Sequence, residues 1–244
     1  MMSRGRLAKY SLWQFRDFVM ERGIGIVIIG FLWGYVMFEP LRRTMGAQWR
    51  GDQMSPVWVI LLQVSSAVAS LSVLIAMNGL VSIDRKNGYY RFLFSKPVNA
   101  LAYYAQLFVV YMVGVLLAMA LLSSLAHIIF PAFSIVNFVI YSALIYIAMG
   151  GIGFFLSVAI RYDWLTLAAI WLGSRVLRGV YGPKNDWRSK AVELLPPVHR
   201  LDDVANSLIG NGTAATSDVV WLLGYGLLFF GVGLLILRYG SLAD

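Results

Sequence analysis

Residues 103–130 read YYAQLFVVYMVGVLLAMALLSSLAHIIF, without a single Asp, Glu, Lys or Arg. About 20 apolar residues suffice for a helix to cross the roughly 30 Å hydrocarbon core of a bilayer, and this stretch exceeds that. Further apolar segments lie on both sides of it, at about 23–38, 56–83, 135–160, 164–181 and 219–237. The expected fold is therefore all-α: a polytopic membrane protein of about six transmembrane helices, forming one domain over 1–244. Glu39-Pro40 closes the first segment, and Asp84-Arg85-Lys86 ends the second, which carries Gln63, Ser65, Ser66, Ser70 and Asn78. The fifth is the shortest, because Arg175 and Arg178 interrupt it.

Composition supports this reading. Of the 244 residues, 59% are hydrophobic and 13% charged, against about 45–50% and 25% for an ordinary soluble domain. No polar block is large enough for a separate globular unit. The net charge of +8 comes from short basic clusters between apolar runs, a pattern that fits orientation and anionic headgroups rather than nucleic acid. There is no cysteine, hence no disulfide and no thiolate metal site. The opening residues are too polar for a cleaved signal peptide. Instead, residues 1–22 intersperse Leu7, Tyr10, Trp13, Phe18 and Met20 with Arg4, Arg6, Lys9, Arg16 and Arg22, as expected of an amphipathic helix in the headgroup layer.

Orientation follows from basic residues beside the first segments and in short loops. The N-terminal stretch and the 84–97 loop, with Arg85, Lys86, Arg91 and Lys96, dominate that count. Both termini are expected in the cytoplasm, with the long 182–218 loop and its short amphipathic pattern at Leu201, Val204 and Leu208 outside.

The 84–97 loop is the most informative polar segment: Asp84-Arg85-Lys86-Asn87-Gly88-Tyr89-Tyr90-Arg91-Phe92-Leu93-Phe94-Ser95-Lys96-Pro97. On a helix, Arg85, Tyr89 and Phe92 share a face while Arg91 and Lys96 stay wet. An interfacial helix on anionic lipid and a wedge for a protein partner satisfy this pattern equally. The order of a long second span, an acidic-basic-x-Gly start, an aromatic core and a Ser-x-Pro-Val finish resembles the coupling-helix region of ABC-2 type transporter permeases. There Asp84, Arg85 and Gly88 stand for the start, Leu93 and Phe94 for the apolar pair, and Pro97 for the end; Lys86 and Tyr89 depart from the family's acidic residue and Thr. The N-terminal helix, the six spans, a Leu-Pro-Pro-x-His-x-Leu-Asp-Asp stretch at 195–203 and a basic residue after the last span extend the resemblance over most of the chain.

The resemblance implies a permease subunit that exports a substrate from a bacterial inner membrane. A separate ATP-binding-cassette ATPase would carry ATP and Mg and receive Tyr89 and Phe92 in a groove. A second permease chain, identical or not, would complete a dimer. The chain itself holds no Gly-x-x-x-x-Gly-Lys-Ser/Thr phosphate loop, so it is expected to bind no cofactor and to be no enzyme. A non-transporting structural subunit is the alternative. An intramembrane enzyme fares worse, since paired acids and a nucleophile with a base are missing from the spans.

Other residues have two readings each. Arg175 and Arg178, one turn apart, either snorkel to headgroups or face an acidic substrate. Gln63 and Asn78 either bond between helices or line a pathway. Gly30 and Gly34 form a Gly-x-x-x-Gly that allows close helix approach, within the chain or across a dimer. His127 and His199 lack companion ligands, so no metal site is expected.

Overall fold

The computed structural model describes residues 4–48, 56–87, 99–160, 163–181, 198–209 and 212–239. Among them no strand occurs, and helices follow one another along the chain. They are α1 (Arg4–Phe18), a π-helical turn (Val19–Gly23), α2 (Ile24–Gln48), α3 (Pro56–Met77), α4 (Ser82–Lys86), α5 (Ala100–Ile129), α6 (Ile135–Ala159), α7 (Asp163–Tyr181), α8 (Val198–Ile209) and α9 (Thr216–Tyr239). Among the described residues, five stretches are long and apolar enough to cross a membrane: Tyr10–Val36, Val59–Asp84, Ala100–Ile129, Ile135–Ala159 and Thr216–Tyr239. The chain is thus an all-helical integral membrane protein. α7 has 19 residues, but it carries Asp163, Arg175 and Arg178 and does not join those five.

Lateral exposure agrees with a hydrocarbon surround. On α5 the residues Val109, Val113, Leu117, Leu121, Leu125 and Ile128 are all exposed and fall on one stripe. The opposite face, with Leu107, Tyr111, Gly114, Val115 and Ala118, is buried. Both faces are apolar, which in water would be a contradiction. In lipid it is the ordinary state, because backbone polar groups are satisfied inside each helix and side chains need only match the solvent.

Helix ends are set by short-range bonding. Asn99 caps α5 by accepting the N–H of Leu101 at 3.0 Å, and Ser134 caps α6 by accepting that of Asn137 at 3.3 Å. After α5 the chain turns at Pro131, where His127 Nδ1 donates to the Phe133 carbonyl at 2.8 Å.

Two segments differ from the sequence expectation. Residues 10–36 form one of the membrane-length helices, and helical backbone runs from Arg4 through the π turn into α2 without a break. Packing explains the continuity: the buried Phe18 ring fills the notch left by Gly114 on α5, where a Cβ would come within 2.3 Å of it. α2 also continues through Pro40 to Gln48 rather than stopping there. A proline in a membrane helix removes one N–H bond and is tolerated where neighbours re-satisfy the carbonyl.

α6 is the central post. Tyr141, Tyr146, Phe154, Ile145 and Ser157 on it are almost fully buried. Its closest partner is α9, met at a paired-glycine crossing. A Cβ on Gly151 would lie 2.1 Å from the Gly226 carbonyl oxygen, and one on Gly226 would lie 2.2 Å from that of Ile147. Since lipid tails are as apolar as leucine, such helices associate through close van der Waals contact rather than hydrophobic drive. Beyond the crossing, Phe230 stacks within 4.4 Å of Phe108 and 4.8 Å of Phe154, tying α5, α6 and α9 into one aromatic knot.

Because backbone cannot yield as a side chain can, Gly226→Ala should destabilise the purified protein by about 1–3 kcal/mol through overpacking. Gly224→Ala, facing open space, should leave it unchanged. Thermal midpoints in detergent would show the contrast.

Candidate functional site

Two regions at opposite ends of the bundle gather chemistry. The first is the junction where α3 gives way to the 84–97 loop. Gly79 adopts φ +71°, a left-handed conformation that glycine takes without steric cost, and a Cβ there would run into Ile83 at 2.2 Å. α3 therefore ends at Met77, and the long second span is a helix, a turn and the short α4 rather than one rod. Ending a helix inside a protein leaves carbonyls and N–H groups without intrahelical partners.

Neighbouring helices take up those groups. The Arg22 guanidinium donates to the Ala76 carbonyl, placing a cation at the negative end of α3, and it lies 4.9 Å from the centre of the Tyr111 ring. The fully buried Ser157 Oγ accepts from the N–H of Val81 at 2.8 Å and of Ser82 at 3.2 Å. Tyr104 Oη donates to Asp84 at 3.1 Å. Gln106 on α5 also donates to Ser11 on α1 at 2.8 Å. The start of the loop is thus fastened to the first helix, to α5 and to α6.

The second region is a cavity of about 540 Å³ at the other end, walled by α2, α3, α7 and α8. Gln63, Ser66, Arg175, Asp202 and Asn206 supply its polar surface; Trp33, Ile60 and Trp171 are among its apolar lining. Arg175 donates to Asp202 at 2.6 Å with both side chains about two-fifths exposed, and its guanidinium stacks 4.5 Å from the centre of the Trp171 ring. Burial pushes the Asp202 carboxyl up from its ordinary value, while Arg175 pulls it back.

α8 can deliver Asp202 and Asn206 because Leu201, Val204, Ala205, Leu208 and Ile209 are buried on one face, at the i, i+3, i+4, i+7, i+8 spacing of an amphipathic helix. Its C-terminal end is held by Asn137 Nδ2 donating to the Leu208 carbonyl at 2.9 Å. Arg200 donates to Asp218 at 2.7 Å, linking α8 to the start of α9.

A second, almost wholly apolar cavity of about 330 Å³ lies across α3, lined by Gly30, Gly34, Leu61, Val68, Leu122 and Phe138 among others. Val64 touches both cavities, so α3 is a partition between a polar and an apolar space.

Among the residues singled out from sequence, Gln63 and Arg175 meet in the polar cavity. Asn78 does not; it sits exposed in the α3–α4 turn at the far end of the bundle. Arg178 is exposed one turn beyond Arg175. Gly30 faces its own chain, where a Cβ would meet Leu122 at 2.5 Å, whereas Gly34 has nothing within 4 Å. Asp84 is fixed as described, Arg85 is described in its backbone alone, and Gly88, Tyr89, Phe92, Leu93, Phe94 and Pro97 lie outside the described residues. Ser66 accepts from Tyr141 Oη at 3.1 Å, and Ser70 bonds back to its own helix.

Sequence reasoning missed Ser157, Arg22, Asp202, Asn206 and the two tryptophans. Asp202 and Asn206 had a signal, being the polar edge of the Leu201/Val204/Leu208 pattern. Ser157 had none, since a serine in an apolar run looks the same whether it bonds its own helix or another.

Compared with protein-family models, with curated proteins and with solved structures, the chain matches none.

Removing the Ser157 hydroxyl takes the acceptor from the buried N–H of Val81, a loss of about 1–3 kcal/mol. Ser157→Ala should accordingly lower the thermal midpoint, and amide exchange at Val81 should speed up relative to α4.

Proposed function

We propose that the chain is the membrane-spanning subunit of an ATP-driven exporter, working with a separate ATP-binding-cassette ATPase and with a second permease chain. The observation that carries this reading is the three-way fastening at the junction. Arg22, Tyr104 and Ser157 tie residues 76–84, from which a loop sequence rich in basic and aromatic residues follows, to the first helix, α5 and α6. A load applied to that loop is therefore shared among several spans instead of bending one.

In this scheme both termini and the 84–97 loop face the cytoplasm of a bacterial inner membrane, and α7 serves as a sixth, short span. Tyr89 and Phe92 insert into a groove of the ATPase, with Asp84, Arg85, Gly88, Leu93, Phe94 and Pro97 shaping the wedge. ATP and Mg bind on the partner. Nucleotide binding closes the ATPases and favours one of two packings of the spans, opening the space beside α3 to alternate sides. No step of nucleotide chemistry falls to this chain.

Truncating a buried aromatic anchor costs an interface about 2 kcal/mol or more. Tyr89→Ala and Phe92→Ala should thus cut co-purification of the ATPase, and the ATP hydrolysis of the assembled complex, by about tenfold or more. Purification without any nucleotide-hydrolysing companion would leave a structural subunit as the function instead. Labelling of Tyr89 from the cell exterior would overturn the orientation and the proposal together.

A further inference from the structure

The polar cavity is built to balance charge. Its cation, Arg175, and its anion, Asp202, already neutralise each other at 2.6 Å, and the neutral amides of Gln63 and Asn206 face the same space. A simple anion drawn to Arg175 would leave Asp202 without its partner. A simple cation at Asp202 would strand Arg175. Either event leaves one of the two charges without its partner. A ligand carrying both signs can part the pair and satisfy each half.

Further features narrow its chemistry. The guanidinium fork suits a phosphate or a carboxylate. Asp202 accepts hydrogen bonds, so a primary ammonium serves it better than a quaternary one. Arg175 stacks on the Trp171 ring, which leaves Trp33 as the cavity's other aromatic surface; the choice of a primary over a quaternary ammonium rests on the hydrogen bonds Asp202 accepts. The cavity's roughly 540 Å³ falls within the usual 300–1,000 Å³ of small-molecule sites. On α7 the exposed Leu172 and Leu165 lie on the inward side of Arg175, where the hydrocarbon of a bound lipid would run.

We propose that this cavity binds a zwitterionic phosphoethanolamine group, its phosphate on Arg175 and its ammonium on Asp202, with Gln63 and Asn206 bonding the remaining oxygens. The group could arrive as a lipid head or as the free soluble compound. This site stands apart from the transport reading, because it requires no ATPase.

Native mass spectrometry of the purified full-length chain tests it without the partner. The protein is offered an equal mixture of phosphatidylethanolamine, phosphatidylcholine and phosphatidylglycerol with matched acyl chains. Wild type should retain phosphatidylethanolamine about fivefold over either competitor, the size expected when one half-exposed charge loses its partner. Asp202→Asn, which keeps shape and removes the negative charge, should turn the preference toward phosphatidylglycerol. The charge-exchanged double variant Arg175→Asp/Asp202→Arg should restore phosphatidylethanolamine. Displacement of the retained lipid by millimolar free phosphoethanolamine would identify the soluble head as sufficient, whereas resistance to it would identify the lipid as the source. Equal retention of all three lipids by wild type, or an unchanged preference in Asp202→Asn, would overturn the assignment, whatever becomes of the ATPase experiment.

Discussion

Where water is absent, every backbone N–H and C=O must find a partner within the protein, and this bundle is organised around that demand. Uninterrupted helices meet it by themselves. The break in a membrane-length helix at Gly79 creates groups that α3 cannot satisfy, and two other helical segments supply what is missing. Arg22 takes a terminal carbonyl, and Ser157 takes two N–H groups. The break thus determines which helices must be neighbours. Positional freedom at the turn is exchanged for a fixed connection between the 84–97 loop and the rest of the protein.

The same absence of water explains how the helices hold together. Burial of apolar surface contributes little when the alternative surround is hydrocarbon, so contact quality decides. That places the weight on glycines, which bring α6 and α9 into backbone contact at Gly151 and Gly226, and on the rings of Phe108, Phe154 and Phe230 that fill the space next to them. Polar side chains are used sparingly: Tyr141 reaches Ser66 and Tyr146 reaches the Phe108 carbonyl at 2.9 Å, each spanning two helices. With α6 held from several sides, α3 stands as a partition between an apolar and a polar space, positioned for either space to be altered if α3 shifts against α6.

The polar space also gives α8 a purpose. A short helix with one apolar face could rest anywhere on the bundle. Its buried face seats it where Asp202 meets Arg175, and Arg200 on its first turn meets Asp218. Half-exposed ion pairs of this kind add little to stability, so their worth lies in fixing position and in offering charge to a ligand.

The membrane character, the helical class and the approximate position of each apolar segment were determined by the sequence, because hydrocarbon thickness and backbone bonding leave few ways to write a membrane helix. The amphipathic spacing of Leu201, Val204 and Leu208 was likewise legible. What tertiary structure decided was partnership. Nothing in the residue order said that Gln63 and Arg175 would face one cavity while Asn78 would sit at the opposite end, that Gly30 would meet Leu122 of its own chain, or that Arg22, written like any headgroup cation, would cap a helix far along the chain. Hydropathy is a property of single residues and reports depth; which faces meet depends on helix rotation and close contact, and those are settled only when the helices pack.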